Sequence, residues 1–309
     1  MSTLPVRATP GLAPVLALLF AACAWGSMFL VSKPVVARVS PLWFTTLRYV
    51  FAALPLSLLL CCLGDRPWRK LRQHWAGLSV LGLLGYGFFG VATMTGLLLS
   101  QPSHGAVLMA TVPLTTLLLR WALDSQRPGP RVAGAAVLAL AGVVLVSGLA
   151  GGAATTPRAL AGDAIMLLGT VGWVLYTRGG ARWPSFSALE YSGLTAVMAV
   201  PVLLLVSASA TAAGVVEAPR WSELSAVLPQ LLYIAVVPTV AAVLAFNYGV
   251  RQLGAARGSL FLNGVPVSAL LMGAALGQHP AAQEWLGALC VITALTLSSG
   301  ASVPARGRR

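Results

Sequence analysis

The chain repeats itself at a fixed interval. Residues 96–118 align with 249–271 at an offset of 153, which carries Gly96 onto Gly249, Gly105 onto Gly258, Val112 onto Val265 and Pro113 onto Pro266. The same offset sets Gly134 on Gly287, Ala135 on Ala288 and Ala141 on Ala294. Each copy holds about five apolar segments of membrane-spanning length. An odd number of crossings per copy inserts the second copy upside down, the inverted-repeat arrangement of secondary transporters. The duplication therefore predicts an all-α integral membrane protein that moves a solute.

Composition agrees with lipid as the solvent. Hydrophobic residues make up 58% of the chain, charged residues only 9%, and the mean hydropathy is +0.85; a soluble domain carries far more charge. Ten windows are long enough to cross a bilayer, near 13–32, 42–63, 76–99, 104–123, 132–150, 160–177, 187–209, 225–247, 258–277 and 282–300. Short linkers rich in Gly, Pro and Arg separate them, such as Asp124-Ser125-Gln126-Arg127-Pro128-Gly129-Pro130. The expected organisation is a tail over 1–12, a five-helix repeat over 13–150, a linker over 151–158, a second repeat over 159–300 and a basic tail over 301–309.

A net charge of +13 would point to nucleic acid in a soluble protein, so the placement of the basic residues decides. With the N-terminus inside, 15 of the 20 basic residues fall on inner segments, including Arg66, Arg69, Lys70 and Arg72, Arg178 and Arg182, and Arg306, Arg308 and Arg309. Lys33, Arg38, Arg158 and Arg220 fall outside, and Arg48 lies within the second window. That bias follows the positive-inside rule, predicts both termini in the cytoplasm and explains the charge without nucleic acid. Cys23, Cys61, Cys62 and Cys290 all lie within windows, where they read as small apolar residues and not as a disulfide or metal framework. No cofactor and no metal are expected. Arg7 and the apolar run after it resemble a signal peptide, but the run continues to Val31 and reads as a retained first helix.

Trp25-Gly26-Ser27-Met28-Phe29, followed by Lys33, Pro41 and Arg48, resembles the opening of EamA-type permeases of the drug/metabolite transporter superfamily. Gly105-Ala106-Val107-Leu108 with Val112-Pro113-Leu114 resembles that family's fourth span, and Gly134 through Val146 its glycine-rich fifth. Asp163, Trp173 and Tyr176 sit where it carries its sixth-span pattern, and Gly254-Ala255-Ala256 with Val265-Pro266-Val267 repeats the motif in the ninth. The resemblance implies ten transmembrane helices in two inverted five-helix repeats, cytoplasmic termini, an inner-membrane location and a solute cavity between the halves. One departure occurs twice: where the family usually has a glutamate after the fourth and ninth spans, this chain has Gln126 and Gln278. Distant relatives in the superfamily, the small multidrug-resistance proteins, carry a first-span glutamate for proton exchange. Residues 13–32 contain none, which leaves a proton, another coupling ion or uncoupled diffusion open.

The candidate substrate-binding residues follow from position and type. Trp25, Ser27 and Phe29 flank Gly26, which lets a helix bend or pack closely while polar atoms face a cavity. Tyr86, Phe89 and Thr93, at i, i+3 and i+7, share one face of the third window, and Trp173 and Tyr176 join them on spans the family uses to line its cavity. Arg48 costs about 2.5–3.5 kcal/mol to insert and needs water, a partner or a function. Aligning Phe44–Tyr49 with Phe186–Tyr191 pairs Arg48 with Glu190. Two readings compete: the pair binds both ends of a zwitterion, or each residue anchors its helix at an interface. Lys33 reads as an interface marker and Asp163 as a helix cap. Asn247 and Asn263 bond a neighbouring helix or face the cavity. Pro113 and Pro266, at repeat-related positions, are candidate breaks for gating.

The leading expectation is an exporter of a small organic solute, such as an amino acid or amphiphilic compound. A sugar-phosphate or nucleotide-sugar carrier would favour more than one deep basic residue. An intramembrane enzyme is the competing class, but His74, His104 and His279 read as isolated and no nucleophile, base or metal array assembles from the sequence. A non-transporting scaffold would be marked by a duplicated fold without a solvent-filled central cavity.

Overall fold

Prolines start helices in this chain more often than they break them. A computed structural model describes residues 12–125, 127, 129–146, 156–253 and 261–299, and among these there is no strand. Ser40 caps the helix that opens at Pro41, accepting from Trp43 N–H, and Thr156 caps the one that opens at Pro157, accepting from Ala159 N–H. A proline in the first turn forfeits no hydrogen bond, since its N–H would be unpaired there.

In chain order the helices are α1 (Leu12–Val36), α2 (Pro41–Leu63), α3 (Pro67–Gly82), α4 (Phe89–Leu99), α5 (Pro102–Ala110), α6 (Val112–Asp124), α7 (Pro130–Val146), α8 (Pro157–Gly179), α9 (Ala188–Ala212), α10 (Trp221–Val236), α11 (Ala242–Leu253), α12 (Gly264–Ala275) and α13 (Ala282–Ser299). Two π-helical turns, Leu83–Phe88 and Val237–Ala241, join α3 to α4 and α10 to α11 into continuous spans. Six helical stretches are long and apolar enough to cross a membrane: Leu12–Val36, Pro41–Leu63, Pro67–Leu99, Pro157–Arg182, Ala188–Ala212 and Trp221–Val250. A seventh forms if α5 and α6, bent by 45°, make one span. All ten windows overlap helices, yet length and apolarity of the described residues assign six or seven crossings. The fourth window is split at its bend, the helices of the fifth and ninth are short, and Gly254-Ala255-Ala256 and Gly258 lie outside the described residues.

The proline breaks differ from one another. Pro113 sits at the 45° bend. Pro266, its repeat partner, is buried in the first turn of α12, which follows directly on the 3-10 turn Phe261–Asn263. At Gly26 the helix is unbroken, because α1 runs continuously from Leu12 to Val36.

Packing follows the repeat. The helix of the first window packs on that of the eighth (α1 on α11), and the third packs on the sixth (α4 on α8). The second packs on the seventh (α2 on α9) and the fifth on the tenth (α7 on α13). Exchanging each window with the one five places on turns the first contact into the second and leaves the last two unchanged, as a two-fold relation between halves requires. The aligned glycines sit at equivalent seams: a Cβ on Gly96 would lie 2.5 Å from Gly162 O of α8, and one on Gly249 would lie 2.3 Å from Leu18 of α1. At the seam of α7 and α13, Gly142 and Gly287 face one another, each leaving under 3 Å for a Cβ before the other's carbonyl oxygen. Such small-residue contacts drive helix association in lipid, where hydrophobic burial gives no net force. Gly287→Leu is therefore expected to separate α7 from α13 and lower the melting temperature in detergent by several degrees, measured by differential scanning fluorimetry. Gly134→Leu, at an open position, is expected to change it little.

Candidate functional site

The two π-helical turns occupy repeat-related positions, and both present polar side chains to the interior. The offset that carries Gly96 onto Gly249 also carries Tyr86 of the first turn onto Thr239 of the second. A π-turn inserts an extra residue into a helix and re-aims the side chains around it, and such turns concentrate at functional sites.

Arg48 lies between these turns. It is 8% exposed, its Nε–H donates to Thr239 Oγ1 at 2.8 Å, and its guanidinium carbon stands 5.3 Å from the centre of the Tyr49 ring. Thr239 in turn donates to Ile234 O at 2.7 Å. An arginine has five N–H donors, and among the described residues only Nε–H of Arg48 has a hydrogen-bond acceptor. A buried cation with most of its donors unused is costly to keep and suited to an anion that arrives from outside.

Aromatic rings continue from it. Tyr49 and Tyr86 lie 4.7 Å apart, Tyr86 and Tyr176 5.0 Å, Tyr176 and Trp173 5.3 Å, and Trp173 and Phe89 5.2 Å between centroids. The Tyr86 and Tyr176 hydroxyls share a hydrogen bond of 2.7 Å, and Tyr86 also donates to Ser192 O. On the other side, Trp25 donates from Nε1 to Pro238 O at 2.9 Å, within the second π-turn, and packs in a tilted arrangement 5.3 Å from Phe246; Ser27 shares a 2.7 Å bond with the Tyr233 hydroxyl. Thr93 is buried with no partner for its hydroxyl among the described residues.

The structure thus gathers Arg48, Tyr86, Phe89, Trp173 and Tyr176 into one belt, and sets Trp25 and Ser27 against the π-turn that holds Thr239. Others stand apart. Phe29 is core, its ring filling the space a Cβ on Gly105 would need. Asn247 and Asn263 are half-buried on α11 and just before α12, and no hydrogen bond joins them to the belt. Tyr49, Thr239 and Tyr233 belong to the site without having been singled out in the sequence; the repeat offset from Tyr86 was the available signal for Thr239.

Glu190 does not meet Arg48. Its carboxylate accepts from Lys70 Nζ at 2.6 Å, from Asp65 N–H at 3.0 Å and from Ser187 N–H at 2.7 Å, closing a capping box at the start of α9. Asp65 lies just past the C-terminus of α2, about 17 residues beyond Arg48 and so about 25 Å away along the helix. An amino-acid zwitterion does not reach across that distance. Glu190→Gln is expected to lower the melting temperature by several degrees through loss of the buried carboxylate's ion pair with Lys70, which keeps only its 3.7 Å contact to Asp65, while leaving the KM for a transported solute unchanged, measured by fluorimetry and flux.

His104 is not isolated. Its Nδ1 lies 3.0 Å from Asp163 Oδ2 and 3.1 Å from Ser100 Oγ, and its Nε2 lies 3.8 Å from Glu284 Oε1. Asp163 therefore binds side chains across helices and is more than a cap. A nucleophilic triad needs serine and aspartate on opposite ring nitrogens; here both share Nδ1. Gln278 flanks a cavity beside Glu284, and Gln126 lies outside the described residues.

Comparison with known proteins agrees with the duplicated architecture. The model of the EamA-like transporter family matches twice, over residues 12–148 and 160–300. The chain is 26% identical over 286 residues to the uncharacterized transporter YrdR of Bacillus subtilis, covering 91% of this chain and 89% of that one. It is 27% identical over 290 residues to the uncharacterized inner membrane transporter YedA of Escherichia coli, covering 93% and 90%. A solved crystal structure at 20% identity superposes with a TM-score of 0.64, covering 92% of this chain and 96% of the other, and shares its fold. Two family matches that together span nearly the whole chain make it a multi-pass membrane protein of the EamA-like transporter family.

Proposed function

We propose that this transporter is an inner-membrane exporter of a small organic metabolite with an anionic group beside an apolar or aromatic body, such as an amino acid or an amphiphilic acid. It works by alternating access between two inverted repeats of five spans each, with both termini in the cytoplasm. The observation that carries the reading is the buried Arg48, with its unused donors, at the head of the Tyr49–Tyr86–Tyr176 belt. The guanidinium takes the anion, the rings take the body, and the paired π-turns on α3–α4 and α10–α11 supply one movable element in each repeat. Trp25, Ser27, Thr93, Trp173 and Phe89 complete the pocket; Asn247 and Asn263 join it when the halves part. The bend at Pro113 falls midway along the α5–α6 pair. A phosphate-bearing solute would call for a second cation beside Arg48, and the belt offers none among the described residues.

The test is a thermal-shift screen of the detergent-purified protein against amino acids and organic acids, followed by flux of any stabilising compound in proteoliposomes. Stabilisation by anionic compounds and not by their amides or esters, with flux, is the expected result. Stabilisation by amides and acids alike would remove Arg48 from the site. Failure of the whole library to bind or move would favour a membrane scaffold.

A further inference from the structure

At the end of the bundle that carries Lys33, donors of one half meet carboxylates of the other. His104, in the first turn of α5 and 8% exposed, stands between Asp163 of α8 and Glu284 of α13. Ser100 donates to Asp163 Oδ1 and Ser103 donates to Glu284 Oε1. Asp163 and Glu284 are 3% and 8% exposed. Every side-chain donor in the set, Ser100, Ser103 and His104, lies in the first repeat and both acceptors lie in the second, where Glu284 Oε2 also accepts from Ala281 N–H at 2.8 Å.

The surroundings limit what else acts on the ring. Lys33 from α1 spends its ammonium on the carbonyls of Leu97, Leu98 and Ser100, neutralising the negative end of α4. Arg158, in the first turn of α8, is close enough to repel Lys33. From α12 the neighbours are Ala269, Leu270 and Gly273, and the loop after it adds Gln278 and His279. These residues, with Gln101, Ser103 and Glu284, line a cavity of about 100 Å³, which is large and polar enough for water. Solvent therefore reaches the glutamate side of His104.

We propose that His104 is a proton-binding residue whose loading latches the two repeats together at this end. The neutral imidazole has one ring N–H and two carboxylates to serve. A proton from the solvent adds to the bare ring nitrogen; no bond between heavy atoms changes and no electrons move. The imidazolium then donates through Nδ1–H to Asp163 and through Nε2–H to Glu284, which closes the 3.8 Å gap. Both contacts become charge-assisted and cross the repeat interface. Loss of the proton releases Glu284 from the ring and leaves the Ser100 and Ser103 bonds as the side-chain links across this end, a weaker closure. As a coupling step in export the latch rests on the transporter reading above; as a pH-dependent closure it does not.

The experiment reads the latch without a solute. In full-length protein reconstituted in nanodiscs, with Cys23, Cys61, Cys62 and Cys290 replaced by serine, spin labels are attached at Gln101→Cys and Gln278→Cys, on opposite repeats across the cavity. Pulsed electron–electron resonance then gives the distance distribution at about pH 5.5 and about pH 8.5, either side of the ordinary histidine range. The short-distance population is expected to be at least about twofold larger at the lower pH. His104→Gln should abolish the response and His279→Gln should keep it. Glu284→Gln, which removes the charge that the imidazolium would pair with, should also abolish it and serves if His104→Gln fails to fold. Equal distributions at the two pH values, a response that survives His104→Gln, or one that is lost with His279→Gln overturns the proposal. A pH response in a protein that moves no solute would leave the latch standing and sink the transport reading, and flux without a response would do the reverse.

Discussion

Arg48→Met is expected to leave the protein at least as heat-stable as the unsubstituted chain while cutting kcat/KM for a transported solute by roughly 30-fold or more. The two effects have opposite signs because the residue is costly in the resting fold and valuable only when an anion occupies the belt. At 8% exposure, with one hydrogen bond through Nε to Thr239, the guanidinium is mostly buried and most of its donors are unpaired among the described residues. Replacing such a charge by an apolar side chain of similar volume is neutral or stabilising in general. Nothing is orphaned by the change, because Thr239 keeps its bond to Ile234 O, and the methionine sulfur packs well against a ring such as Tyr49.

The transport loss follows from the other side of the same balance. Truncating one partner of a desolvated, hydrogen-bonded charge pair costs about 2–5 kcal/mol, and the lower figure already corresponds to roughly 30-fold. The measurement pairs a melting curve without solute with counterflow in proteoliposomes. A melting temperature several degrees lower with unchanged flux would make Arg48 an anchor of α2 against α10–α11, and the pocket would have to lie elsewhere. Arg48→Lys is expected to fall between, since a point charge cannot both hold Thr239 and present a planar fork to a carboxylate.

How much of this was legible in the sequence depended on whether the signal was local or tertiary. Helix class and positions follow from apolar runs of spanning length, and the repeat follows from Gly96 and Gly249, whose alignment reflects equivalent seams against α8 and α1. The Arg48–Tyr86–Tyr176 belt was half visible, because an arginine and aromatic residues inside apolar windows are unusual wherever they point. The pairing of Arg48 with Glu190 failed for a local reason that was present in the chain: Ser187-x-x-Glu190 is a capping box, and a capping glutamate is fixed at a helix start. Pro266 lies in the first turn of α12, with no bend there like the one at its repeat partner. His104 could not be read at all, since its partners Asp163 and Glu284 lie 59 and 180 residues away with no period connecting them. Ten crossings were read from runs of apolar residues, and composition does not register where such a run bends, as at Thr111.

Gly26→Val is expected to abolish accumulation of folded protein, and Gly26→Ala to reduce it severely. A Cβ at this position would lie 2.1 Å from Ser268 Oγ, 2.9 Å from Ala269 N and 2.9 Å from Val265 O. The hydroxyl can rotate away, but the two backbone atoms cannot, so even one methyl forces α1 and α12 apart. Overpacking a close-packed interior ordinarily costs about 1–3 kcal/mol and more when backbone must move. Here the displaced surface also carries the bond from Ser268 to Ala22 O, and the flanking residues of α1 are Trp25 and Ser27, bonded to Pro238 O and Tyr233. Moving α1 therefore loosens its grip on the second π-turn as well as its contact with α12. Fluorescence-detected size-exclusion chromatography of a tagged protein reads the outcome as the height of the monodisperse peak. Ser268→Gly in the Gly26→Ala background removes the 2.1 Å clash and leaves both backbone clashes, so it should recover only a minor part of the yield. Full recovery would mean that the hydroxyl alone set the spacing and that α1 and α12 can part at little cost. Wild-type yield from Gly26→Val would mean that the two helices do not approach this closely in the membrane.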